Sequence, residues 1–329
     1  MRGNPLHRSS LFLGGALGAM MTLGSAMGQL FMPPVTVSTT PGAFRAVALA
    51  DFDGDGDLDI AAADTAGNRV LILLNHGDGT FATGSPVAVG GNPGDVALGD
   101  LDGDGDIDIV TPNSADDTIS IAYNAGDATF APVSAVAVLD GPSRVLVRDV
   151  NDDGLPDIII SHFAASRVYV LRNFGAGDFF ARGNYEYASP LAIAIGFMDA
   201  DARPDLVAGN SIFVSVALDS GVGLFGAFVH TTVAADPRDF ALGDLDGDGD
   251  TDVAAACDQP SFSSLHGLYT LLNNGNGVLG PATRHQGSGS GHRRLALGPI
   301  DAGTTIDAVM VSSSISRLSV MTNDGLGAL

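Results

Sequence analysis

Asp51-Phe52-Asp53-Gly54-Asp55-Gly56-Asp57-Leu58-Asp59 sets five aspartates at alternate positions around two glycines. The pattern returns at Asp100 to Asp108 and Asp244 to Asp252, and looser copies in the same register span Asp149 to Asp157, Phe197 to Asp205 and Pro299 to Asp307. The copies start at 51, 100, 149, 197, 244 and 299, so the intervals are 49, 49, 48, 47 and 55 residues. Such a period suits one four-stranded antiparallel blade and is too long for a nonapeptide coil. Six units predict an all-β fold, a six-bladed β-propeller.

Each unit reads as a short apolar strand, the acidic loop, a second apolar strand, a polar turn, a third strand, a glycine-rich turn and a fourth strand. In the first unit these are Val47 to Ala50, the loop, Ile60 to Ala63, Val70 to Leu74, and Phe81 to Val89 after the turn Asn75 to Gly79. Three residues before each loop stand Ala48, Ala97, Leu146, Ala194, Ala241 and Ala296, mostly small and flanked by larger apolar residues. Period-two alternation therefore gives strand one a small face and a large face, as expected near a crowded axis.

A second marker follows strand three. Asn75-x-Gly77-x-Gly79-x-Phe81 is repeated from Asn124, Asn173, Asp219, Asn273 and Asn323, the last copy ending at Leu329. Gly and Asn accept positive φ, so this is a hairpin turn followed by one apolar anchor. The sixth unit has no fourth strand, and Phe31 to Thr39 is the unassigned strand-like segment. The expectation is that this N-terminal segment closes the ring by pairing into the last blade.

The acidic loop with its period and the N-x-G-x-G-x-F turn resembles the FG-GAP/VCBS repeats of integrin-α-like propellers, over about residues 31–329. The Phe-Gly and Gly-Ala-Pro strings are reduced here to Phe81-Ala82, Phe130-Ala131-Pro132 and Gly280-Pro281-Ala282, which favours the bacterial VCBS branch.

The loops have the chemistry of a calcium site. Ca²⁺ takes six to eight hard oxygen ligands from a chain able to wrap around it. Side chains at loop positions 1, 3, 5 and 9 and the carbonyl at position 7 can point inward, with glycines permitting the bend. The expected ligands are Asp51, Asp53, Asp55, Asp57 and Asp59 in the first loop and Asp100, Asp102, Asp104, Asp106 and Asp108 in the second. Asp149, Asn151, Asp153, Leu155 and Asp157 form the third set, and Asp244, Asp246, Asp248, Asp250 and Asp252 the fifth. The fourth loop keeps a weaker set, Asp199, Asp201 and Asp205. In the sixth, Pro299 and Gly303 replace two ligands and leave Asp301 and Asp307. About three to five ions are expected. An EF-hand is excluded, because its bidentate Glu at position 12 is here Ala62, Thr111, Ile160 or Ala255.

Composition agrees. There is no Lys, and Glu186 is the single Glu among 38 acidic residues, so the acids are almost all short-armed turn ligands. Packing several carboxylates into nine residues is costly without a cation.

Residues 1–28 read as a signal peptide: Arg2 and Arg8, the apolar run Leu11 to Leu23, and Ala26-Met27-Gly28 as a cleavage site. Residues 29–329 then form the propeller, in a secreted, periplasmic or cell-surface monomer with no membrane span after cleavage. Removing two Arg takes the net charge from −23 to −25. Nucleic acid is thereby disfavoured as a partner. Cys257, the one cysteine, reads as a packing residue.

No nucleophile elbow, zinc helix or phosphate-cradling loop is present, and the chain reads as a non-enzyme. The expected role is a binding or scaffold module for an extracellular protein or glycan. A polysaccharide lyase-like enzyme, as occurs among related repeat propellers, and a lectin are the alternatives; His285, His292, Arg293 and Arg294 are the candidate lyase groups. Arg284 to Arg294 is the basic cluster of the chain, in a strand-four to strand-one connection on the face away from the acidic loops. Arg293 and Arg294 are its candidate anion or acidic-sugar contacts.

Overall fold

The computed structural model describes residues 42–221, 223–258, 265–285, 292–300, 305–312 and 317–323. Six antiparallel sheets follow one another along the chain as the blades of a β-propeller. Blade one comprises Phe44–Ala50 (β1), Asp59–Asp64 (β2), Arg69–Asn75 (β3) and Phe81–Thr83 (β4), with Val87–Ala88 (β5) also pairing to β3. Blade two is Ala97–Gly99 (β6), Asp108–Asn113 (β7), Thr118–Ala122 (β8) and Ser134–Ala137 (β9). Blade three is Pro142–Arg148 (β10), Asp157–His162 (β11), Arg167–Asn173 (β12) and Phe179–Glu186 (β13). Blade four is Ala192–Gly196 (β14), Asp205–Gly209 (β15), Phe213–Ala217 (β16) and Val229–Thr232 (β17). Blade five is Asp236–Gly243 (β18), Asp252–Asp258 (β19), Gly267–Leu271 (β20) and Thr283–His285 (β21). Blade six shows three strands among the described residues: His292–Gly298 (β22), Asp307–Ser312 (β23) and Arg317–Met321 (β24). Phe31 to Thr39, expected to close the ring, lies outside the described residues, as do residues 1–28.

The core lies between blades, and the second strands build it. Ile158 and Ile160 pack back against Val110, Ile119 and Ile121 of blade two, whereas Ile159 packs forward against Leu206 and Ala208 of blade four. Val207 and Val216 meet Val253 and Ala255 one interface later, and Ala254 and Ala256 face Ala308 and Met310 after that. Adjacent side chains of one strand thus serve opposite interfaces, which is why these strands are apolar throughout and not alternating. Burying each Ile or Val this way contributes about 1.5–3 kcal/mol. Cys257 is fully buried in the fourth interface, and burial pushes its thiol pKa upward.

Two strands differ from the sequence reading. The expected fourth strand of blade one breaks at Gly84-Ser85-Pro86, where Pro86 has no N–H to give the ladder. Strand one begins earlier than expected, at Phe44 instead of Val47, because its entry is bulged. The register shifts between Phe44 and Ala46, between Pro142 and Arg144, between Pro237 and Asp239, and between His292 and Arg294. The extra residues are Arg45, Ser143, Arg238 and Arg293.

Candidate functional site

Each acidic loop joins strand one to strand two at one end of its blade. Asp51 Oδ1 and Oδ2 accept the amides of Gly54 and Gly56 at 2.8 and 2.9 Å, and Asp100 and Asp244 repeat both contacts at 2.7–3.1 Å. Gly54, Gly56, Gly103, Gly105, Gly247 and Gly249 have φ between 76° and 97°, the left-handed region that turns the chain around its own carboxylates. The side chain at position 7 leans outward onto the turn of its own blade. A Cβ added at Gly126 or Gly275 would lie 2.6 Å from Asp106 or Asp250.

Three groups of carboxylate oxygens converge to within 4.8 Å of one another: Asp51, Asp53 and Asp59; Asp100, Asp102 and Asp108; Asp244, Asp246 and Asp248. These are hard oxygen donors on a wrapped loop, a set that could hold a divalent cation. Burial, then the neighbouring Asp55 and Asp59, raises the pKa of Asp53; burial, then Asp104, does the same at Asp102. A cation would relieve that crowding.

Among the described residues, the other loops show no such convergence. In the third, Asn151 gives its Nδ2 to Asp157 at 2.9 Å and Arg172 Nη2 lies 3.1 Å from Asp153. In the fourth, Arg203 occupies position 7, 2.5 Å from Asp201 and 3.1 Å from Asp219. That guanidinium supplies internally the positive charge a metal would bring. Of the sixth loop, Asp301 lies outside the described residues.

Position 9 has a further role that sequence reading did not foresee. Asp59, Asp108, Asp157, Asp205, Asp252 and Asp307 are each at most 1% exposed. In every loop Oδ2 accepts the position-2 amide (Phe52, Leu101, Val150, Met198, Leu245, Ile300) at 2.7–3.2 Å. Oδ1 accepts the amide at the end of strand three (Asn75, Asn124, Asn173, Asp219, Asn273, Asn323) at 2.7–2.9 Å. The carboxylate therefore ties loop to blade even where no ligand set surrounds it. The signal was in the sequence: position 9 is Asp in all six loops, including the two that have lost other ligands.

Burial pushes Asp108, Asp157 and Asp252 up to about 6 from the ordinary 3.8. A folded-state value above the unfolded one stabilises the protein at low pH, and this contribution is lost as pH rises from about 4 to about 6. Metal-stripped protein should consequently melt higher at pH 5 than at pH 7.5, and a divalent cation should shrink the difference. Equal melting temperatures at the two pH values in EDTA would refute this.

The marker asparagines connect neighbouring blades. Nδ2 of Asn124, Asn173, Asn273 and Asn323 donates to the position-2 carbonyl of the preceding blade (Phe52, Leu101, Met198, Leu245) at 2.7–2.9 Å. The apolar anchor follows the same route, with Phe130 edge-on to Phe52 at 5.9 Å. Asp219 cannot donate, and its Oδ1 is buried without a hydrogen bond among the described residues. Replacing Asn173 with Ala should cost about 1–3 kcal/mol by orphaning the buried Leu101 carbonyl, measured by chemical denaturation with and without EDTA.

At the opposite end of the blades, polar residues meet across the axis. Arg294, expected on an exposed loop, lies on β22 and is only 5% exposed. Its Nη2 is 3.0 Å from Asp95, its Nη1 3.6 Å from Asp239, and Arg144 Nη1 is 3.8 Å from Asp95. The expectation failed there because strand one runs further toward this face than its apolar core indicates. The side chains of Arg293 and His292 lie outside the described residues. Arg284 donates to the His266 carbonyl at 2.7 and 3.1 Å, and buried His285 Nε2 lies 2.9 Å from Thr270 Oγ1.

The comparisons agree with this architecture. The FG-GAP-like repeat profile matches residues 51–111 and 100–160, each match starting at an acidic loop and running into the following blade. Residues 51–160 thus carry FG-GAP-like repeats, and the six-bladed fold is consistent with an FG-GAP repeat propeller. Among solved structures, this propeller is similar to an Agrocybe aegerita lectin whose structure addresses recognition of non-reducing terminal N-acetylglucosamine. The two share 22% identity over 85% of this chain and 77% of the lectin, with a TM-score of 0.57. It is also similar to virginiamycin B lyase from Staphylococcus aureus, at 11% identity over 84% and 83% of the two chains, with a TM-score of 0.53. Likeness at these identities establishes the fold. No curated protein matches the chain.

Proposed function

We propose that this propeller is an exported binding module for an extracellular protein or glycan, stabilised by calcium at its first, second and fifth loops. The observation that carries the reading is the convergence of three all-aspartate ligand sets, each on a loop whose glycines bend the chain around them. Extracellular modules hold Ca²⁺ at roughly 10⁻⁴–10⁻³ M, an affinity matched to an exported protein. The third loop, with Asp153 paired to Arg172, is a weaker candidate for an ion.

Three of the described histidines are taken up by contacts inside the blades, whereas His76 and His230 are exposed. His162 is buried with Nδ1 2.8 Å from the Leu139 carbonyl, and burial pulls its pKa down. His266 is buried against Asp258, and His285 is bonded to Thr270. None of the three presents an exposed base. The lectin of similar fold adds precedent for carbohydrate recognition on this fold.

A screen of the purified protein against neutral and acidic glycans, with calcium and with EDTA, tests the reading. Calcium-dependent retention of at least one glycan or protein class is expected. Turnover of a bound polysaccharide, seen as new chain ends, would overturn it in favour of a lyase.

A further inference from the structure

A cavity of about 640 Å³ opens where the first strands begin, at the end of the blades away from the acidic loops. Four of its lining residues are Arg45, Arg144, Arg238 and Arg294, and no Asp or Glu lines it among the described residues. In a chain with 38 acidic and 15 basic residues, a cavity so composed is the reverse of the overall charge. Asp95 pairs with Arg294 and Arg144, and Asp239 with Arg294; neither carboxylate is among the described lining residues, whereas all four arginines are.

Two of the four hold their place through backbone irregularity. Arg45 and Arg238 are the extra residues of the β-bulges in β1 and β18, and a bulge re-aims the side chain that a regular strand would direct elsewhere. Arg45 is exposed and makes no hydrogen bond or ion pair among the described residues. Arg238 Nη2 lies 3.1 Å from Asp236, yet its Nε is buried without a partner among the described residues. Donors of this kind suit a planar oxyanion.

The rest of the wall suits a ring. Phe44 and the 47% exposed Phe163 give apolar faces, and Asn92 and Ser114 give polar groups suited to hydroxyls. The volume falls within the range of small-molecule sites.

We propose that this axial cavity binds an acidic sugar of the uronate class, its carboxylate on Arg45 and Arg238 and its ring against Phe163. The site names a ligand class for the binding module proposed above and rests on that reading. The Arg144–Asp95–Arg294–Asp239 cluster forms a fixed floor, and the two bulge arginines at the rim are the recognition groups.

Isothermal titration of trigalacturonate into the calcium-loaded protein tests the assignment, with maltotriose as the neutral sugar and triaspartate as the acidic peptide. Trigalacturonate should bind, more weakly as salt rises, and the other two should not. Arg45→Ala and Arg238→Ala should each weaken it at least tenfold, and Phe163→Ala severalfold, with the calcium-dependent melting curve of Arg45→Ala unchanged. Absence of trigalacturonate binding, equal binding of maltotriose or triaspartate, or full affinity in both Arg variants overturns the proposal. Calcium-dependent retention of a different ligand in the glycan and protein screen would leave the binding-module reading standing while this assignment fell.

Discussion

Stripping divalent cations with EDTA should lower the melting temperature by on the order of 10 °C, and added calcium should restore it. Three ligand sets converge in the structure, and a site held at ten times its Kd adds about 1.4 kcal/mol when the unfolded chain binds no ion. Three such sites give about 4 kcal/mol, which in a domain of this size corresponds to a shift of that order. The effect has a second source in the charge, since each ion removes two units from a protein carrying −23. Converting Asp53, Asp102 and Asp246 together to Asn should abolish most of the response while leaving the blades assembled, because these side chains make no bond outside their own loops among the contacts described. A melting curve indifferent to EDTA would remove calcium from the account.

Asp205→Ala should destabilise the protein by about 2–6 kcal/mol, to the same extent with calcium and with EDTA. Its two oxygens accept the amides of Met198 and Asp219 at 2.7 Å each, at a site 1% exposed. Removing the carboxylate leaves two buried N–H groups without an acceptor, each costing about 1–3 kcal/mol. In the fourth loop Arg203 pairs with Asp201 and Asp219, and no convergent ligand set like those of the first, second and fifth loops is found there among the described residues, so the loss is expected to be independent of calcium. Denaturant midpoints for Asp205→Ala and for the triple Asn variant should therefore separate the two roles of loop aspartates. If Asp205→Ala lost less than about 1 kcal/mol, the tie between loop and blade would be unimportant.

Much of the architecture was legible because it is local. The acidic loop, its roughly fifty-residue period, the turn marker and the apolar second strands each depend on residues within one unit, where spacing alone sets which side chains share a face. The loop aspartates were likewise found from their spacing, and the structure adds that Asp59 and its five counterparts also bind backbone amides. Their constancy across all six loops was visible, but its cause was not, since one acceptor bond reaches the end of strand three. The marker Asn was read as a turn residue; that its amide crosses to the preceding blade, 72 to 78 residues away, required the assembled ring.

The sequence by itself determined the blade, the number of its repeats and the acidic loops, because short-range spacing and φ preferences dictate them. Only the tertiary structure decided the axial cavity. Arg45, Arg144, Arg238 and Arg294 are scattered along the chain with no shared motif, and two of them depend on bulges that exist only once strand one has paired with strand two. Arg294 and Asp95 stand 199 residues apart and meet at 3.0 Å because ring formation brings the starts of all first strands to one axis.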